Sequence, residues 1–223
     1  MIATATLSDP VLALEVLLDP ARLSEALGRE VEITRVRWKP ATSLVLAIRS
    51  DVGHGWVAAY ADAAKLDKTR ERAARVAASV QDVPSAGHAL AGPLDADRVL
   101  ALPLHRARRV LGDGAGEVLR YNPHRRVVIR SGDDVLKVSA TDAGAAALTR
   151  SLAAGGLAVL PSHDLMGGVQ RTAWWGRGDL AGAPSASAAH AAGRALAELH
   201  RVDATGARPS SDGDADLGRQ LRP

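Results

Sequence analysis

Residues 117–138 read EVLRYNPHRRVVIRSGDDVLKV. Turn residues at Asn122-Pro123-His124-Arg125 and Ser131-Gly132-Asp133 interrupt three short apolar segments, which are read as strands over 117–121, 126–130 and 135–138. Lys137 stands among Val135, Leu136 and Val138 in the third. A lysine in that setting either reaches out to solvent or meets an anion. Its other reading is an edge-strand charge that discourages aggregation.

Working outward, a helix is expected over 141–154, then Leu160-Pro161-Ser162 and a strand over 169–175. The same order occurs upstream. Strands are expected over 31–38, 44–49 and 56–60, a helix over 63–79, then Val83-Pro84-Ser85 and a strand over 97–102. Landmarks repeat in register: Arg37-Trp38-Lys39-Pro40 matches Arg120-Tyr121-Asn122-Pro123, and Ile48-Arg49-Ser50 matches Ile129-Arg130-Ser131. Val83-Pro84-Ser85 likewise matches Leu160-Pro161-Ser162, and three landmarks in one order indicate an internal duplication. Asp9-Pro10 and Asp19-Pro20 each place a cap residue before a first-turn proline, so two short helices open the chain. A basic helical segment, 104–111, runs into glycines 112, 114 and 116, whose density is read as a flexible joint between the copies. A last helix, 185–202, carries Ala192, Ala195, Leu196 and Leu199 on one side, a stripe expected to be buried. Residues 203–223 read as loop.

With 223 residues and 47% hydrophobic content, the chain can bury a core in one or two domains. Phe is absent and Cys is absent. The core must therefore come from Ala, Val and Leu, and disulfides, thiolate metal sites and cysteine nucleophiles are excluded. No basic-then-apolar leader and no run near the roughly 20 apolar residues of a membrane span occurs, so a cytoplasmic protein without membrane association is expected. The net charge of +3 is small. Arginine-rich patches at 105–109 and 124–126 could meet phosphates or be solvated surface. The seven histidines show no metal-ligand spacing with acidic residues, so no metal site is assigned. Neither a Gly-x-Ser-x-Gly elbow nor a Gly-x-x-x-x-Gly-Lys loop is present.

Two strands joined at Tyr121-Asn122-Pro123-His124-Arg125-Arg126, a third strand with Lys137, a helix, two more strands, and a helix ending Leu196-Ala197-Glu198-Leu199-His200 form an ordered series. It resembles the opening of the aminoglycoside phosphotransferase and choline-kinase-like superfamily, closely over 116–202 and faintly over 31–102. The resemblance implies an α+β fold: two tandem kinase amino-lobe-like antiparallel sheets, each with a packed helix, plus the first helix of a truncated helical carboxyl lobe. The corresponding domains are 1–105, a degenerate lobe with its leading helices; 106–176, a nucleotide-binding lobe; and 177–223, a hinge and the start of the carboxyl lobe.

The resemblance further implies ATP as the nucleotide, with magnesium expected only where the carboxyl lobe is complete. Lys137 would hold the phosphates, the turn of His124, Arg125 and Arg126 would lie over them, and Trp174 or Trp175 would stack on adenine or serve as core. The expected partners are nucleotide and, given a carboxyl lobe, a small hydroxyl-bearing acceptor; nucleic acid is not the expected partner, and apolar surface around Trp174 and Leu199 predicts self-association. Three departures count against activity. The helix after the lysine strand has no glutamate over 143–148, leaving Asp142 as the nearest acid, and the first copy has Ala59 or Tyr60 where the second has Lys137. The His-Gly-Asp and Asn of the family's catalytic loop are also missing, and Arg177-Gly178-Asp179-Leu180 precedes the last helix instead of following it. No catalytic residue is assigned. The expectation is a phosphotransferase-like protein inert as this chain, and the alternative is a non-enzymatic module that binds nucleotide, nucleic acid or protein.

Overall fold

The computed structural model describes residues 12–76, 78–84, 86–111, 116–140, 145–176, 182 and 184–201. The Asp9-Pro10 cap, Ser85, the glycine joint over 112–115, Asp142, residues 177–181 and the tail lie outside that set. The fold is α+β, with two five-stranded antiparallel sheets and six α-helices among the described residues.

Two short helices, α1 (Leu14–Leu17) and α2 (Pro20–Leu27), lead into β1 (Glu32–Lys39), β2 (Ser43–Ser50) and β3 (Gly53–Tyr60). Helix α3 (Ala64–Ala74), β4 (Gln81–Asp82) and β5 (Ala89–Pro93) complete the first half. The second half consists of α4 (Ala101–Leu111), β6 (Glu117–Asn122), β7 (Arg126–Ser131), β8 (Asp134–Ser139), α5 (Ala145–Ala154), β9 (His163–Met166) and β10 (Val169–Ala173), followed by α6 (Ala186–Arg201). The strand orders are β1-β2-β3-β5-β4 and β6-β7-β8-β10-β9, one topology written twice.

The duplication extends to details of backbone geometry. Register shifts between Ile33 and Arg35 in the first sheet and between Val118 and Arg120 in the second. Both hairpins then close through the same turn: Thr42 N donates to Lys39 O, Arg125 N donates to Asn122 O, and Ala41 (φ 51°) and His124 (φ 61°) take the left-handed position after a proline. Proline first and a left-handed residue second is the type II arrangement. The helices that open the halves are also started alike. Asp19 Oδ1 accepts from the N–H groups of Ala21 and Arg22, and Asp97 Oδ1 from those of Val99 and Leu100. An aspartate accepting from the second and third N–H is ordinary helix capping.

Asp97 therefore corrects the expected strand over 97–102. A capped turn starts there, and the strand pairing with β3 is Ala89–Pro93. The basic helical segment expected over 104–111 forms the rear of α4, which runs unbroken through residues 105 and 106, where the expected domain boundary falls.

The chain divides into two compact units, Met1–Asp142 with Asp164–Arg171, and Ala143–His163 with Thr172–Pro223. In the first unit, one face of the first sheet (Leu44, Leu46, Ile48, Val57 and Ala59) packs with Leu12, Leu14, Leu17 and Leu23 of the leading segment. The opposite face (Val45, Ala47, Trp56, Ala58 and Tyr60) belongs to a core that also contains Leu100 and Leu104 near and in α4, and Tyr121, Val127, Ile129, Leu136 and Val138 of the second sheet. The two sheets thus share one core. Trp56 is fully buried there and lies against Gly92, its cross-strand partner, where any Cβ would come within 2.8 Å of the indole.

In the second unit, Thr149 of α5 holds the segment before β9. Its Oγ1 accepts from Ser162 N (3.1 Å) and lies 2.7 Å from Ser162 Oγ, while Arg150 donates to Ser162 O at 3.0 Å. Helix α6 corrects the expected buried stripe: none of its residues is buried, and Leu196 is 52% exposed.

Candidate functional site

Burial alternates along the inner strands of the second sheet. Val127, Ile129, Leu136 and Val138 enter the shared core, while Val128 and Lys137 are half-buried on the other face. Lys137 pairs with Val128, which also pairs with Arg120. Arg126 and Arg130 flank Val128 two residues to either side on β7, so strand alternation puts both on its face, within the reach of diagonal neighbours. Arg120, Arg126, Arg130 and Lys137 therefore form one basic face, tempered by Glu117, the cross-strand partner of Arg130. Among the described residues Lys137 has no ion pair, and its cross-strand partner is the apolar Val128.

The first sheet has lost this face. Counted from the shared turn, Ser43 pairs with Tyr60 as Arg126 pairs with Ser139, so the counterpart of Lys137 is Ala58. Counted from the β2–β3 hairpin it is Trp56. This register replaces the expected Ala59 or Tyr60, because the first hairpin is two pairs longer between bulge and turn. Ala58 and Trp56 are both fully buried in the shared core.

His124 does not join Arg125 and Arg126 at the exposed tip of the β6–β7 turn. Its imidazole is 8% exposed and sits 5.5 Å, centroid to centroid, from Trp56, with Nδ1 3.3 Å from the Tyr60 hydroxyl. The left-handed backbone at His124 turns the side chain inward, onto the first sheet. Beneath it, the fully buried Asp97 gathers four donors. Oδ2 accepts from the Tyr121 hydroxyl and from His124 N, each at 2.7 Å, and Oδ1 accepts from the Val99 and Leu100 N–H groups. Arg98 stacks over Tyr60, 5.4 Å from its centroid.

Electrostatics follow from this packing. Burial holds the His124 imidazole neutral, with its pKa lowered to about 4; Arg98 and Arg37 push the same way, and Asp97 opposes them. Burial also raises the Tyr121 phenol well above its usual range, reinforced by the Asp97 charge. Arg37 is lowered by burial and by neighbouring Arg125. Sequence reasoning missed Asp97, Tyr60 and Trp56 as a set. The signal available was the departure of Trp56 and Tyr60 from the second copy's pattern in a chain with only 4 Trp and 2 Tyr.

Trp174 and Trp175 follow β10 in the second unit; Trp174 is half-buried and Trp175 is 79% exposed. Lys137, Arg125 and Arg126 belong to the first unit. Among the described residues no group of three His, Cys, Asp or Glu side chains could hold a metal ion, and no helix is long and apolar enough to cross a membrane. Compared with known proteins, the chain matches no family model, no curated protein and no solved structure.

Proposed function

We propose that this protein binds the phosphate tail of a nucleotide through the second sheet, as a module derived from the amino lobe of an aminoglycoside-phosphotransferase-like kinase. The observation that carries the reading is the contrast between the copies: Lys137 stands on a basic face of β8, and its counterpart in the first sheet is a buried alanine, Ala58. On this reading the first copy keeps the fold as support for the second.

The chain's own residues fit a polyphosphate. Lys137 supplies a cation whose stem is fixed on a strand, and Arg126 and Arg125 are exposed at the adjoining turn, where guanidinium groups bind phosphate oxygens in pairs. ATP, when bound, supplies the anionic tail and, with magnesium, the transferable phosphoryl group. The His-Gly-Asp and Asn motif that would orient an acceptor is not found in the sequence, so the activity proposed for this chain is binding.

Titration calorimetry with magnesium ATP tests this. Lys137→Ala should weaken binding at least about tenfold, the loss of one charge-assisted contact, and Lys137→Arg should retain most of it. Equal ATP binding by wild type and Lys137→Ala would overturn the assignment of Lys137.

A further inference from the structure

We infer that the first unit carries a second anion site, separate from the Lys137 face, in a cleft bounded by the end of α3, the first turns of α4 and the β9–β10 turn. The ligand class is a small phosphorylated molecule bearing a phosphomonoester or diphosphate. The cleft has a volume of about 710 Å³, within the range of small-molecule sites. Its polar lining is Arg72, Arg75, Arg98 and Arg106, with Gly167 and Gly168 between them, and no carboxylate lines it among the described residues.

Four arginines without an acid in one cleft repel each other unless an anion joins them. Several carboxylates nearby in sequence are engaged elsewhere. Asp67 and Asp82 pair with Arg70, Asp95 pairs with Arg108 at 2.6 Å, and Asp97 is saturated by its four donors. Arg98 Nε is sealed from solvent and has no hydrogen-bond partner. The walls are also held in place. Arg72 donates to the Arg98 carbonyl at 3.4 Å, tying the end of α3 to the turn that opens α4. Gly168 has φ +81°, and a Cβ there would fall 2.2 Å from Ser139 O, so the β9–β10 turn is fixed against the end of β8. Lys137 projects from the face of β8 opposite Leu136 and Val138, which pack with Leu104 and Ala107 of α4. The two basic surfaces therefore lie on opposite sides of one sheet. The apolar remainder of the lining, including the exposed Leu102, suits the organic part of a phosphorylated metabolite and gives a bare phosphate fewer contacts.

The test is calorimetric titration of the full chain with pyrophosphate at fixed ionic strength. Arg75→Gln with Arg106→Gln removes two exposed charges that enter no ion pair among the described residues and should weaken binding tenfold or more. Gly167→Asp provides an independent arm: a Cβ at Gly167 would lie 3.7 Å from Arg106 Nη1, so a carboxylate there would occupy the anion's place and abolish binding. Lys137→Ala should leave pyrophosphate binding in the cleft intact, which separates this site from the nucleotide reading. Absence of pyrophosphate binding, binding unchanged by both cleft variants, or binding lost only in Lys137→Ala would each overturn the inference. So would duplex DNA competing for the cleft where pyrophosphate does not bind.

Discussion

Asp97 is the residue on which the second half is fastened to the first. Its carboxylate caps the turn into α4 with one oxygen and with the other holds the Tyr121 hydroxyl and the His124 backbone, fixing the β6–β7 turn over Trp56 and Tyr60. The neutral His124 buried there makes stability depend on pH. An unfolded imidazole titrates near about 6.5, whereas the folded one titrates at about 4. Between those values the unfolded chain takes up a proton that the folded chain refuses, so this contribution is complete above about pH 6.5 and falls away as pH drops toward about 4. The expected loss is on the order of 3 kcal/mol. Denaturant unfolding across that window measures it, and in His124→Asn the acid slope should shrink even though stability at neutral pH falls.

At the scale of elements, the two type II turns solve one backbone problem with different residues. Ala41 pays for its left-handed conformation with no compensating burial, for it is exposed. Ala41→Gly should raise stability by about 0.5–1 kcal/mol, read as a higher unfolding midpoint with unchanged denaturant slope. The same exchange at His124 should destabilise, because the glycine would relieve the backbone but empty the space against Trp56. The element pattern of the second sheet was legible because only one of its faces enters the core: Val127, Ile129, Leu136 and Val138 alternate with Arg126, Val128, Arg130 and Lys137. The first sheet is buried on both faces, so its inner strands read as apolar runs that do not reveal which side meets what. The turn at Asp97 was misread as strand because Val99, Leu100 and Leu102 look the same in either state over so short a segment.

For the whole first unit, the shared core means that the two sheets should unfold together. Trp56, Tyr60, Leu100 and Leu104 cover the second sheet as well as the first, so a fragment beginning at residue 116 would expose the face formed by Val127, Ile129, Leu136 and Val138. Such a fragment should show no cooperative unfolding transition by circular dichroism. In the full chain, Trp56→Ala should cost about 3–5 kcal/mol and lower the protection of amides in both sheets by hydrogen exchange. Exchange confined to the first sheet would show the halves to be independent.

The sequence by itself determined the α+β class, the repeated order of strands and helix, the Pro40 and Pro123 turns, and the exceptional place of Lys137, because strand periodicity, turn chemistry and an isolated charge among apolar residues are local properties. Only the tertiary structure decided that His124 points inward, that Asp97 joins the halves, that Ala58 is the counterpart of Lys137, and that arginines from the end of α3, the turn at residue 98 and α4 line one cleft. Those facts depend on register and on contacts between residues far apart in the chain, and no local pattern specifies which faces of two similar sheets are turned toward one another.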